Sequence, residues 1–276
     1  MTVRQWTAAP TGSALAALIA SCALIGLAAC SSREPATDAE RLARGRELVQ
    51  KMSARLAAAP AITVTTTEVR DVVRRSGAKK EVSLTAVYTM RRPDRFHSRM
   101  TGGSGLESWY NGKTLTIAAH PHKVFAQARM PETIDRTLDA LAERYDMALP
   151  MGDLLYGSPE QALLSDTTKG GYAGTENVSD TRCVHLAFQD TGVDWELWLP
   201  VEGDPLPRRF KVVQKSRVGR PVINVTFTKW DLAAQTADDA FVPKVPADYE
   251  GIAVLQRSAA VKHATTSVPA GSSATK

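Results

Sequence analysis

Cysteine is scarce, with three in 276 residues, at positions 22, 30 and 183. That leaves no regularly spaced set from which a disulfide framework would be built. Histidine is scarce too: of the five, only His120 and His122 lie close together, and Pro121 constrains the loop between them. No Cys or acidic residue stands nearby at zinc-site spacing. No Gly-x-Ser-x-Gly elbow, Walker loop or dinucleotide fingerprint occurs. The glycines of Gly102-Gly103-Ser104-Gly105 are followed by a strand pattern instead of a phosphate-binding helix. Asp and Glu are scattered, so no catalytic carboxylate pair stands out. An enzyme and a resident cofactor are therefore not expected. The net charge of +5 is spread over pairs such as Arg74-Arg75, Lys79-Lys80 and Arg208-Arg209. Such pairs suit solvated strand ends that discourage sheet-to-sheet pairing. They form no nucleic-acid footprint.

Long apolar runs are also few. The one prominent run, about Ala14 to Leu27, follows Arg4 and is broken by Ser21. It is shorter than the ~20 residues a membrane-spanning helix needs. Its order of charge, apolar core and small residues is that of a bacterial secretory signal. The run ends in Leu27-Ala28-Ala29-Cys30, which resembles the lipobox of bacterial lipoproteins. That resemblance implies cleavage after residue 29 and acylation of Cys30, palmitate among the chains. The protein would then be anchored to the membrane by its lipid. Ser31 and Ser32, with no Asp after the Cys, imply the outer membrane, facing the periplasm. An ordinary cleaved signal with an incidental Cys has the same layout. After cleavage the side-chain charge falls from +5 to +4, since Arg4 is the only charge removed. Cys183 then stands alone in a strand pattern and reads as a small buried hydrophobe.

Residues 30–38 read as a polar tether. Thr37 and Glu40 have capping-box spacing, and Leu42, Gly45, Val49, Met52 and Leu56 share one helical face up to Pro60. The period then changes to two. Ile62–Val73, Glu81–Met90, Phe96–Thr101, Leu106–Tyr110, Lys113–Ala118 and Val124–Arg129 are strand candidates. Asn111-Gly112 is a hairpin signal. A helical block interrupts: Ile134, Leu138, Leu141 and Tyr145 recur at helical spacing, and Leu149–Tyr156 suits a second short helix. Strands resume over Tyr172–Val178, Arg182–Gln189, Val193–Leu199, Arg208–Ser216 and Val222–Trp230, and Phe241-Val242-Pro243 docks the end. Residues 256–276 are Ala/Ser/Thr-rich without period and read as a disordered tail. The expected fold is mainly β with a few helices (α+β). About eleven antiparallel strands suggest a curved sheet over residues 39–250, half-closed, with the helical segments filling its concave side.

Two motifs in the first half carry a family resemblance. The turn Arg92-Pro93-Asp94-Arg95-Phe96 precedes a strand, and Asn111-Gly112-Lys113-Thr114-Leu115 follows as a hairpin. This order resembles the LolA/LolB-like family, periplasmic carriers and acceptors of lipoproteins. The resemblance implies an unclosed sheet around helices and an apolar groove for acyl chains. It further implies that Arg92 clamps a helical lid. A solvated turn arginine has the same sequence signature. Tyr88, Met90, Phe96, Trp109 and Leu115 are candidates for the cavity lining; ordinary core packing accounts for them equally. The implied partners are an acyl-chain ligand or a lipoprotein's anchor. A soluble carrier must leave the membrane, so a tether at Cys30 implies a fixed acceptor or resident binder. An alternative is a sensor or interaction module for another envelope protein, presented on strands Val193–Leu199 and Val222–Trp230.

Replacing Cys30 with Ser should move the protein from the membrane pellet to the soluble fraction and abolish incorporation of labelled palmitate. An unchanged distribution would make Cys30 incidental.

Overall fold

A computed structural model describes residues 34–254 except 104, 148 and 150. The signal segment, Cys30 and the 256–276 tail lie outside the described residues. Helix α1 (Asp38–Ala57) starts at the expected capping box. Thr37 Oγ1 accepts from the Glu40 amide at 3.2 Å, and the Glu40 carboxylate accepts from the amides of Thr37 and Ala36 at 3.0 and 2.8 Å. These bonds satisfy donors that a helix start leaves open.

Six strands follow: β1 (Ala61–Val73), β2 (Lys79–Arg91), β3 (Arg95–Gly102), β4 (Leu106–Tyr110), β5 (Thr114–Ala119) and β6 (Val124–Arg129). The helical block comprises α2 (Ile134–Tyr145), a 3₁₀ turn (Gly152–Leu154) and α3 (Pro159–Leu164). The chain then forms β7 (Lys169–Val178), β8 (Thr181–Gln189), β9 (Val193–Pro200), β10 (Arg209–Gln214), β11 (Val222–Asp231) and β12 (Glu250–Ile252).

All twelve described strands join one sheet in the order β12-β6-β5-β4-β3-β2-β1-β11-β10-β9-β8-β7. Neighbours are antiparallel except β12, which lies parallel to β6. The ends β12 and β7 do not pair, so the sheet stays open. This is the incomplete barrel around helices that the LolA/LolB-like resemblance implies. The twelfth strand and α3 were not legible: three exposed residues make one and six residues the other.

The apolar positions of most strands line the concave face. Examples are Ile62 and Val64 on β1, Leu84, Ala86, Tyr88 and Met90 on β2, and Leu186 and Phe188 on β8. Val49, Met52 and Leu56 of α1 join the same core. The helix approaches β7 backbone to backbone. A Cβ placed on Gly171 would lie 2.1 Å from the Arg41 carbonyl oxygen, and one on Gly45 would lie 2.7 Å from Gly171 Cα. α3 braces α1 from outside through Ser53 Oγ, which accepts from the Glu160 amide at 3.0 Å.

On the convex side the chain after β11 crosses back over β3. Arg91 donates to the Thr236 carbonyl at 3.1 Å, pairs with Asp238 and lies 5.3 Å over the buried Phe241 ring. His120 does not pair with His122; its nitrogens meet Glu107 Oε2 at 2.9 Å and Tyr249 OH at 2.8 Å. Cys183 is fully buried with Val178 and Trp198, and burial pushes its thiol pKa up.

Gly171 and Gly174 have nearly equal positive φ, +131° and +129°, but Gly174 has nothing within 4 Å of an added Cβ. Gly174→Ala should therefore cost only backbone strain, about 1–3 kcal/mol. Gly171→Ala should cost about 1–3 kcal/mol more by displacing α1. Denaturant midpoints would measure both, and equal losses would refute the close helix contact.

Candidate functional site

The two motifs that are separate in sequence form one structural unit. Arg95 Nη1 pairs with Asp94 Oδ2 at 2.7 Å and donates to the Asn111 carbonyl at 2.8 Å. Asn111 Oδ1 accepts from the amides of Lys113 and Thr114 at 3.1 and 2.9 Å. The hairpin therefore turns over four residues, with Tyr110 opposite Leu115, instead of the two expected. A slip of two residues preserves facing, so Leu115 still points inward. Gly112 sits at φ +88°, and a Cβ there would lie 2.7 Å from Asp94 Oδ2. The turn thus requires glycine for both conformation and space.

The same Arg-Pro turn holds the start of α2 and the residues just after the 3₁₀ turn. The Pro93 carbonyl accepts from the Ile134 amide at 2.9 Å, at the start of α2. Arg92 donates from Nη1 to Leu155 O at 3.2 Å and from Nη2 to Tyr156 O at 3.0 Å. Its Nε is buried and has no partner among the described residues. Burial pulls the guanidinium pKa down, and the Asp135 carboxylate opposes the shift.

Between this segment and the sheet lies a cavity of about 130 Å³. Its sheet wall includes Phe96, Met100, Leu106, Tyr110, Leu115 and Ile117, and its roof Ile134, Leu138, Leu141, Met147 and Leu149. Arg70, Ser108 and Thr137 are its polar lining. β3 runs from Phe96 to Met100, and β4 returns from Leu106 to Tyr110. At the first end Tyr110, Ile134, Leu115 and Phe96 are between 1% and 7% exposed. At the other, Met147 is 38% exposed and the Arg70 side chain 24%. The cavity therefore has a sealed floor by the Arg-Pro turn and a mouth by Arg70.

Of the residues singled out in the sequence, Phe96 and Leu115 lie in the lining of this cavity. Tyr88 and Met90 face the same side but are 1% exposed in the core beside it. Trp109 departs from its expected place. It lies on the opposite face, stacked on His97 at 5.5 Å, with His97 Nε2 on Glu107 Oε1 at 2.8 Å. The reason is strand parity: Trp109 is one residue from Tyr110, which is the inward one. Parity counted back from Leu115 would have picked Tyr110 and Leu106. Arg70 carried no signal, because nothing local shows that a charged residue faces inward.

The family model described as "Predicted periplasmic protein (DUF2092)" matches residues 45–255. A search of curated proteins finds no match. Among solved structures, the chain is similar to an uncharacterised conserved protein from Thermus thermophilus, with TM-score 0.44 and 12% identity over 75% of this chain and 98% of that one. It is similar to MucB in the Pseudomonas aeruginosa MucA/MucB complex, with TM-score 0.41 and 15% identity over 75% of this chain and 63% of that one. It is also similar to a LolA superfamily protein from Nitrosomonas europaea, with TM-score 0.38 and 10% identity over 72% of this chain and 98% of that one.

Arg92→Leu should speed amide hydrogen exchange across residues 152–157 at least tenfold (~1.4 kcal/mol) while β1 and β2 keep their protection. Arg92→Lys should not rescue it, since an ammonium lacks the fork that spans two carbonyls. Uniform loss of protection would instead make Arg92 a support of the whole fold.

Proposed function

Because this chain belongs to the DUF2092 family of predicted periplasmic proteins, we propose that it is an envelope protein that binds an acyl chain between the sheet and the α2 segment. The supporting observation is the cavity itself: largely apolar walls, a buried end by the Arg-Pro turn, a more exposed end by Arg70, and a roof held by that turn. Lipid anchoring through Cys30 at the outer membrane, with the domain facing the periplasm, completes the reading. The protein then acts as a fixed acceptor or resident binder, and its action needs no covalent chemistry beyond the modification of Cys30.

The size of the cavity says how binding would work. A dry cavity of ~150 Å³ accepts a benzene, so about 130 Å³ accepts roughly six carbons. At ~0.8 kcal/mol per buried CH₂ that supplies about 5 kcal/mol, which corresponds to a submillimolar Kd at best. Tighter binding needs more carbons, and more carbons need the roof to move outward. Arg92, through its two bonds to the Leu155 and Tyr156 carbonyls, is the side-chain tie that such a movement would strain. The outward faces of β9 and β11 favour the acyl reading over a protein-docking module. Glu196 on β9 is tied to His185 and Lys211 at 2.8 and 2.7 Å, and β11 presents Asn224, Thr226 and Thr228 with no apolar patch.

The purified, delipidated mature protein should take up the neutral fluorophore N-phenylnaphthylamine and release it to long-chain acyl competitors. Leu106→Trp, which fills the mouth, should weaken uptake about tenfold or more (~1.4 kcal/mol). No uptake by the folded protein would overturn the reading. A protein partner that co-purifies without any lipid in the mass spectrum would favour the interaction module.

A further inference from the structure

We propose that the cavity selects an acyl ester over a free fatty acid, with Arg70 at the mouth meeting the ester carbonyl. This rests on the acyl-binding reading and names its ligand class.

Thr66, Glu68 and Arg70 are successive inward residues of β1. Glu68 is 0% exposed, an unusual place for a carboxylate unless it is fully paired. It is fully paired here. Its Oε1 accepts from Tyr88 OH at 2.6 Å and from Thr66 Oγ1 at 3.0 Å. Its Oε2 accepts from Arg70 Nε at 2.9 Å and also from Arg70 Nη2. Burial first, and the Glu68 carboxylate second, push the Tyr88 phenol pKa well up, so Tyr88 remains a donor.

This network touches neither the Arg-Pro turn nor the convex-face contacts. Its visible effect is on Arg70. Both bonds to Glu68 use Nε and Nη2, so Nη1 is not engaged by the carboxylate. Arg70 lines the cavity beside Met100 and Leu106, at its more exposed end. A chain entering with its methyl end toward the sealed floor brings its polar end to Arg70. That end finds a hydrogen-bond donor whose charge is already cancelled.

The cancellation decides the ligand. A free carboxylate would give up its hydration for a guanidinium that Glu68 already neutralises, and would be repelled by Glu68 behind it. An ester carbonyl carries no charge and needs one donor, so it gains the bond without that penalty. A lone arginine at the mouth would favour the acid. The Glu68–Arg70 pair reverses the preference. Membrane phospholipids and the diacylglyceryl group of a lipoprotein share this ester chemistry.

The experiment is displacement of N-phenylnaphthylamine from the full mature chain by hexanoic acid and by its methyl ester, whose chain length matches the cavity, at a pH where the acid is ionised. The ester should displace the probe at a concentration at least tenfold lower. Arg70→Met should raise the ester's midpoint severalfold. Glu68→Gln leaves Arg70 uncompensated and should turn the preference toward the acid. A diacylglycerophospholipid and a diacylglyceryl-cysteine peptide form two further arms that separate membrane lipid from lipoprotein anchor. Whichever binds must outcompete the free acid. Equal or tighter binding of the acid by the unmodified protein overturns the proposal and leaves the acyl-binding reading standing, even if Glu68→Gln fails to fold. Failure of the probe and of every acyl ligand to bind overturns the acyl-binding reading itself.

Discussion

An open sheet with one apolar face must have that face covered, and the rest of this structure depends on how the covering is done. Twelve strands curl without closing, so their inward residues need partners that the sheet cannot supply. Two helical segments supply them in different ways. α1 lies against β7 at backbone contact, permitted by Gly45 and Gly171. Such a contact has no slack, because packed backbone cannot yield as a rotamer can. The α2 segment meets β3–β5 through side chains and leaves a cavity of about 130 Å³. One half of the sheet is plugged and the other is roofed.

The roof hangs from one turn. Pro93 holds the start of α2 and Arg92 holds the residues after the 3₁₀ turn, so both attachments meet at the same two residues. The cavity thus has an arginine near each end, and their partners differ. Arg92 faces neutral carbonyls, with the Asp135 carboxylate nearby, and holds the roof. Arg70 is bound to a buried carboxylate and faces the mouth. Breaking a buried ion pair leaves a costly unpaired charge, so Glu68 and Arg70 behave as one neutral unit.

Much of the architecture was legible because it rests on local rules. The capping box at Thr37 and Glu40 located α1, and alternation located eleven of the twelve strands to within a few residues. Ile134, Leu138 and Leu141 marked the inward face of α2. The misses have physical causes. The Asn111 side chain drew the hairpin into a four-residue turn that the Asn-Gly pair alone does not reveal. Trp109 and Tyr110 are adjacent on β4 and so face opposite sides of the sheet. Both are buried, but only parity decides which face, and the convex face has its own cover in the chain that carries Phe241 and Tyr249.

The sequence by itself determined most of the elements, the alternation along the strands and a curved, β-rich antiparallel architecture. Those follow from periods, caps and turns that act within a few residues. It also contained the two short motifs, but as separate segments. Only the tertiary structure brought Arg95 onto Asn111, set Arg92 on the carbonyls of Leu155 and Tyr156, and placed Arg70 at the mouth on Glu68. Each of those facts depends on strand register and on the gap left between a roof and a sheet. A gap is the difference between two packed surfaces, and no local pattern in the chain encodes it.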